Sequence, residues 1–256
     1  MIDTHIHLTD EKLKINEKEI IARFKQAGVT RAINVGYDLP SSEESARIAQ
    51  ENDGIYFAVG IHPDKEFAVT DEAITELKTL AVREKCVAIG EIGLDYHYEP
   101  FDKEGQKKAF ERQAELASQV DLPVIVHSRD CTRDMTDIIK AVAKDLKRKG
   151  VMHCFSGSKE TAKEFLDAGF YISFSGVVTF RNAKNVAEVA GYVPHDRYLA
   201  ETDCPYMAPE PMRGKTNEPS FVKYVYEKLA VLRGTDFETT EKEIEENAKR
   251  LFYGIK

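Results

Sequence analysis

One feature constrains the fold above all others: short apolar runs rich in β-forming residues alternate with amphipathic stretches. Eight such runs recur, at Ile2–His7, Arg31–Tyr37, Ile55–His62, Val87–Leu94, Pro123–His127, Val151–Phe155, Tyr171–Val178 and Tyr198–Thr202. Several are apolar throughout, as at Val124-Ile125-Val126, which suits parallel strands buried on both faces. Helical stripes lie between them. Ile20, Phe24 and Ala27 follow Asn16 and stop at Gly28, and Ser41 with Glu44 has capping-box spacing. Met135, Ile138, Ile139, Val142 and Leu146 repeat at helical spacing, as do Ala162, Phe165 and Leu166 up to Gly169. Val222, Val225, Tyr226 and Leu229, then Ile244, Ala248, Leu251 and Phe252, form the last two stripes. Eight strand–helix units in 256 residues predict a single-domain α/β fold, a (β/α)₈ TIM-type barrel over residues 1–256. The competing arrangement is an open doubly wound sheet. It gains no support from the first run, which no G-x-G-x-x-G or Walker loop follows. The longest irregular stretch, Cys204–Pro219, follows the eighth run and is a candidate functional loop.

Composition narrows the function. Acids outnumber Lys and Arg by 44 to 36, a net charge of −8. A protein that holds duplex DNA by general electrostatics carries a basic surface instead, so any phosphate must be attracted locally, by bound cations and a few basic side chains. Cys86, Cys131, Cys154 and Cys204 form no C-x-x-C pair, and reduced thiols in a cytoplasmic protein are the expectation. Neither a signal peptide nor a membrane span is expected, and no obligate protein partner is evident.

The chemistry-bearing residues cluster by position. His5, His7, His62, His127 and His153 fall in or at the end of expected strands; Glu91 lies late in the fourth, and Glu201 and Asp203 end the eighth. In a barrel every strand C-terminus opens on one face, where catalytic groups gather. His5 and His7 are two apart on a strand and share a face. Burying histidines and acids together at one barrel mouth without a cation is costly, so the constellation points to a divalent metal site. Six candidate ligands, His5, His7, Glu91, His127, His153 and Asp203, exceed the three usual at one catalytic zinc. Two ions are therefore expected, with Glu91 the natural bridge. Mixed nitrogen and oxygen donors suit Zn²⁺ or Mn²⁺ better than a purely oxygen-liganded Mg²⁺ site. Paired ions clamp a phosphate displacement, and Asp203 is the candidate acceptor of the water proton.

Six segments then make the comparison specific: Met1–Leu8 (MIDTHIHL), Gly90–Tyr96 (GEIGLDY), Pro123–Asp130 (PVIVHSRD), His153–Gly157 (HCFSG), Glu201–Pro209 (ETDCPYMAP) and Arg213–Pro219 (RGKTNEP). In order and content they resemble the motifs of the TatD family of deoxyribonucleases, within the wider amidohydrolase-like barrels. The resemblance implies a divalent-metal-dependent deoxyribonuclease of exonuclease type, with DNA ends or single-stranded regions as substrate. It implies one ion (Mg²⁺, Mn²⁺ or Zn²⁺) on His5, His7, Glu91 and Asp203, and another on Glu91, His127 and His153. By it His62 lines the phosphate site, and Glu201 lies near the metals or helps hold an additional ion. Ile6, Met212 and Thr216 depart from residues frequent in the family; Thr216 stands where Arg is common and removes a basic residue near the mouth.

Other side chains carry two readings each. Arg129, Arg213 and Lys215 are candidate phosphate contacts, against ordinary ion pairing. Tyr96, Phe180 and Tyr206 are candidates for base stacking, against rim packing. Asp95 reads as a supporting or loop-holding acid, and His97, His195, Cys154 and Cys204 as structural. Two other functions compete. One is an amidohydrolase-like hydrolase of another ester, amide or phosphodiester. Many such barrels carry a bridging Lys on the fourth strand, and no Lys lies between Val87 and Tyr96. The other is a metal-loaded barrel that binds without turnover.

Overall fold

All eight expected runs become strands in a computed structural model that describes residues 1–256. They are β1 Ile2–Ile6, β2 Arg31–Val35, β3 Ile55–Val59, β4 Cys86–Asp95, β5 Val124–Arg129, β6 Gly150–Met152, β7 Tyr171–Phe174 and β8 Tyr198–Ala200. They pair in parallel in chain order, β1 to β8. The chain just past β8 returns to β1. There Asp203 N donates to His5 O and His7 N to Cys204 O, each at 3.0 Å. Helices alternate with the strands and cover the outer face, as the TIM-type barrel requires. Strands buried on both sides read as near-continuous apolar sequence, and β3, Ile55–Val59, is buried at every position.

Local expectations needed correction at two points. The run Tyr171–Val178 is too long: the chain leaves the sheet after Phe174 and makes a 3₁₀ turn over Gly176–Thr179. Val178 is fully buried in that turn, and a buried apolar turn carries the same residue pattern as a strand. The capping box is formed by Asp38 and Ser41, not by Ser41 and Glu44. Asp38 Oδ1 accepts from Ser41 N at 2.8 Å, and Ser41 Oγ accepts from Asp38 N at 3.0 Å. Leu39 and Pro40 thus open the helix Leu39–Glu51, while Glu44 accepts from Arg47 Nε at 3.0 Å.

Two irregularities bear on function. The β1–β2 register slips between Asp3↔Ala32 and Ile6↔Asn34, and the β4–β5 register slips between Ile89↔Val124 and Ile92↔Val126. Each slip sets one extra residue in the bulged strand against its partner, which re-aims side chains there. The first bulge spans His5 and the second spans Glu91. Gly90 permits the second: a Cβ there would lie 2.6 Å from Cβ of Ile125, so any larger residue would push β4 off β5.

Candidate metal centre

The strand ends carry the expected donors to one place. His5 is the penultimate residue of β1, and His7 stands one past its end; Glu91 projects from the bulge in β4, and His127 from mid-β5. His153 follows β6 directly, and Asp203 lies three residues past β8 at φ 57°. Asp tolerates this left-handed backbone better than most residues. His7, His62, Glu91, Asp95, His127, His153 and Asp203 line one cleft of about 1000 Å³ at the C-terminal end of the barrel, with His5 fully buried beneath.

Donor atoms fall into two sets joined by one carboxylate. His5 Nε2 and His7 Nε2 are 3.0 Å apart. Glu91 Oε2 lies 3.4 and 3.5 Å from them, and Asp203 Oδ1 3.9 and 3.6 Å. On the other side, Glu91 Oε1 is 2.7 Å from both His127 Nδ1 and His153 Nε2, which are themselves 3.3 Å apart. A metal with ligands at about 2.0–2.2 Å separates adjacent donors by roughly 3.0–3.5 Å. The spacings of Glu91 Oε2 to His5 and His7 and those within each histidine pair match that edge length, whereas the 2.7 Å contacts of Oε1 are hydrogen-bond distances and Asp203 stands slightly farther off.

Tautomers sharpen the fit. His7 Nδ1 lies 2.9 Å from Val35 O, His127 Nε2 3.0 Å from Asp95 Oδ2, and His153 Nδ1 3.2 Å from Glu201 Oε1. Each of those oxygens only accepts, so each imidazole spends its one proton outward. The opposite nitrogens then turn lone pairs on carboxylate oxygens that also only accept. Such a gathering of acceptors needs added positive charge, either extra protons or cations. Electrostatics of the ion-free protein point the same way. Burial works against the charged form of His153, yet the Glu91 and Glu201 carboxylates raise its pKa well above the ordinary value. His127 and His7 are also raised against burial, by Asp95 with Glu91 and by Asp203 with Glu91. Glu91, although buried, is held well below the usual carboxylate range by His153, His127 and His5. Burial and the neighbouring His153 lower the pKa of His5. The negative field that draws protons to His7, His127 and His153 is one that also attracts a cation.

A match to the family described as TatD related DNase runs over residues 2–253. The chain belongs to that family. Its relatives include an uncharacterized metal-dependent hydrolase, YabD of Bacillus subtilis, 46% identical over 98% of each chain. The 3'-5' ssDNA/RNA exonuclease TatD of Klebsiella pneumoniae is 30% identical over 98% of this chain and 97% of its own. Among solved structures, YJJV, a TatD homolog from Escherichia coli K12, superposes with a TM-score of 0.93 at 30% identity, covering 99% and 98% of the two chains. TatD membership, together with clustered histidine and carboxylate donors at the barrel mouth, makes the chain a metal-dependent hydrolase.

The remaining expectations sort by place in this TatD barrel. His62 lines the cleft, with Nε2 3.8 Å from Glu91 Oε1 and Nδ1 2.7 Å from Asp64. Arg129 lines it too, its guanidinium 5.0 Å from the Tyr98 ring. Glu201 does not line the cleft, and stands next to the His153 ring. It is 1% exposed behind His153, where it also accepts from Cys154 N at 2.8 Å and Ser173 Oγ at 2.5 Å. Arg213 and Lys215 are both exposed and outside the residues that line the cleft. The Arg213 guanidinium sits 3.9 Å from the Phe180 ring. Tyr96 and Phe180 are likewise outside the lining. The Tyr96 hydroxyl donates to Asp134 at 2.9 Å and its ring stacks on Phe101, so packing accounts for it. Tyr206 does line the cleft. His97 pairs with Asp130 at 2.6 Å, and His195 with Glu243 at 2.8 Å. All four cysteines are free, and burial pushes the Cys154 and Cys204 thiols up, away from the reactive thiolate. Sequence reasoning missed Lys65, Phe67 and Tyr98 in the lining. Their position in the loops after β3 and β4 was the available signal. No helix is long and apolar enough to cross a membrane.

Proposed function

We propose that this chain removes nucleotides from an end of single-stranded DNA or RNA, using two divalent cations at the barrel mouth. One observation carries the reading: the two oxygens of Glu91 face two different groups of histidine lone pairs, at 3.4 and 3.5 Å on one side and 2.7 Å on the other. His5, His7, Glu91 and Asp203 hold the first ion; Glu91, His127 and His153 hold the second. The single-stranded substrate follows the name of the Klebsiella relative, and the net charge of −8 argues against long duplex. Paired ions there supply Lewis acidity at a phosphoryl oxygen and acidify the attacking water.

The chain's own residues do the rest. Asp203, 8% exposed and lining the cleft, is held ionised: burial raises its pKa, and His7, His153 and His5 together lower it below the ordinary value. It accepts the proton of the attacking water. His62 and Arg129 on the wall take the non-bridging oxygens of the phosphate. Asp95 and Glu201 orient His127 and His153 from behind.

The deciding experiment uses 3'- and 5'-labelled single strands with Mg²⁺, Mn²⁺ or Zn²⁺, with and without chelator. Mononucleotides should appear from one end, stop with chelator and return with metal. Full-rate cleavage by stripped protein, or no cleavage of DNA or RNA with any of the three ions, would sink the reading. Chelation should also lower thermal stability. An ion present at 1,000 times its Kd adds about 4 kcal/mol, which for a chain of this size is roughly a 10 °C fall in Tm. An unchanged Tm would mean that the donors are held together without ions.

The supporting acid gives a further prediction. Asp95→Ala removes the acceptor that fixes the His127 proton on Nε2, so metal affinity should fall about 10–100-fold. Asp95→Asn should retain most of it, since the amide oxygen still accepts. Competition with a chromophoric chelator measures both, and equal affinity in wild type and Asp95→Ala would remove Asp95 from the site's support.

A further inference from the structure

The cleft wall carries something that metal chemistry does not use. The cleft is lined by 25 of the 256 residues. Yet it holds Phe67, Tyr98, Tyr206 and Met207, four of the nine large apolar side chains that the molecule exposes. Chance would put about one there (25/256 of nine). Phe67 is 79% exposed and Tyr98 71%. Neither lacks a stable base. Phe67 sits in the 3₁₀ segment Pro63–Ala68, whose ends are pinned by buried Pro63 and Val69. Tyr98 has the Arg129 guanidinium 5.0 Å from its ring centre. In the loop after β8, the Tyr206 hydroxyl donates to Asp10 at 2.7 Å, and the Lys12 ammonium lies 5.3 Å from its ring. Large exposed rings carried on anchored segments of one cleft can take a flat apolar face.

Charge on the same wall says what kind of ligand this is. Asp10, Asp64, Glu66 and Glu99 line it against only Lys65 and Arg129, and Lys65 is already paired with Asp38 at 2.7 Å. Beyond the metal site, a polyanion therefore gains nothing from general electrostatics. Any affinity for the nucleotides next to the scissile phosphate must come from their bases. Base–aromatic stacking serves every base, since each has a π-face. In a duplex those faces are covered by neighbouring pairs.

We propose that Phe67 and Tyr98, with Tyr206 lining the same cleft, form a stacking platform for the unpaired terminal bases of single-stranded nucleic acid. This rests on the nuclease reading above and adds to it which residues select unpaired ends. Phe67 and Tyr98 grip the bases, while the metal site takes the phosphate.

The test is binding to metal-loaded protein of two labelled phosphorothioate hexamers of equal length and charge, oligothymidylate and its abasic counterpart. Wild type should bind the base-bearing oligomer about 10-fold or more tightly than the abasic one. The double variant Phe67→Ala/Tyr98→Ala should erase that difference, and Phe67→Tyr/Tyr98→Phe should restore it. Both side chains are exposed, so the fold should tolerate each change. Equal affinity for the two oligomers in wild type, or an undiminished difference in the alanine variant, overturns the platform. DNA cleavage with base-indifferent binding overturns the platform alone and leaves the nuclease reading standing. Stacking-dependent binding with no cleavage under any metal supports the platform and sinks the nuclease reading.

Discussion

Asp203→Asn should fold like the parent and lose turnover by several orders of magnitude. Asn has nearly the shape of Asp and tolerates the same left-handed backbone, so the φ of 57° at this position is no obstacle to it. What it loses is the ionised oxygen. Oδ1 of Asp203 lies 3.6 Å from His7 Nε2 and 3.9 Å from His5 Nε2, and the carboxylate lines the cleft where water enters. General-base catalysis by itself contributes about 10²–10⁴-fold, and weaker cation binding would add to the loss. Release of labelled mononucleotide from single-stranded DNA measures the effect, with circular dichroism as the control for folding. Near-parental turnover in the purified variant would take Asp203 out of the mechanism.

Glu91→Gln should be the most damaging change to metal content. Both oxygens of Glu91 work, one toward His5 and His7 and the other toward His127 and His153. The amide must place its NH₂ on one of these sides. There a donor meets imidazole lone pairs and hydrogen-bonds to them, which keeps the barrel folded but closes that side to a cation. The other side keeps a neutral oxygen in place of a charged one. Elemental analysis should show at least one ion per chain fewer than wild type, and cleavage should fall below detection. Retention of the full wild-type complement would show that Glu91 bridges nothing.

Much of the donor set was legible because it obeys local rules. A strand shows alternate residues on one face, so H-x-H at His5 and His7 announced two imidazoles pointing together. Parallel strands of a barrel all end on one side, so His127, His153 and Asp203 could be placed near them without any distance being known. The capping box was misplaced by three residues, since Asp38 and Ser41 satisfy the helix start better than Ser41 and Glu44. The seventh strand was drawn too long, because a buried turn and a buried strand have the same apolar composition. Neither error touched the donors, although Val177 in the misdrawn turn lines the cleft.

The periphery behaved differently. Glu201 follows β8 directly and was expected near the metals; it stands behind His153. The backbone N–H of Cys154 and the Ser173 hydroxyl, 47 and 28 residues away in sequence, supply its hydrogen bonds. Arg213 was expected at the phosphate; its guanidinium sits 3.9 Å from the Phe180 ring, outside the residues that line the cleft. Phe67 and Tyr98 carried no motif, and only the folded loops show them lining one cleft with Tyr206.

From residue order alone came the ring of alternating strands and helices, and the gathering of histidines and acids at its mouth. Periodicity and strand direction are short-range properties, which neighbouring residues determine among themselves. Which nitrogen of each histidine faces inward, which acid stands behind it and which loop side chains reach the cleft emerged only on folding. Those outcomes depend on partners tens of residues away, and hydrogen-bond and stacking directions between such partners exist only once the barrel has closed.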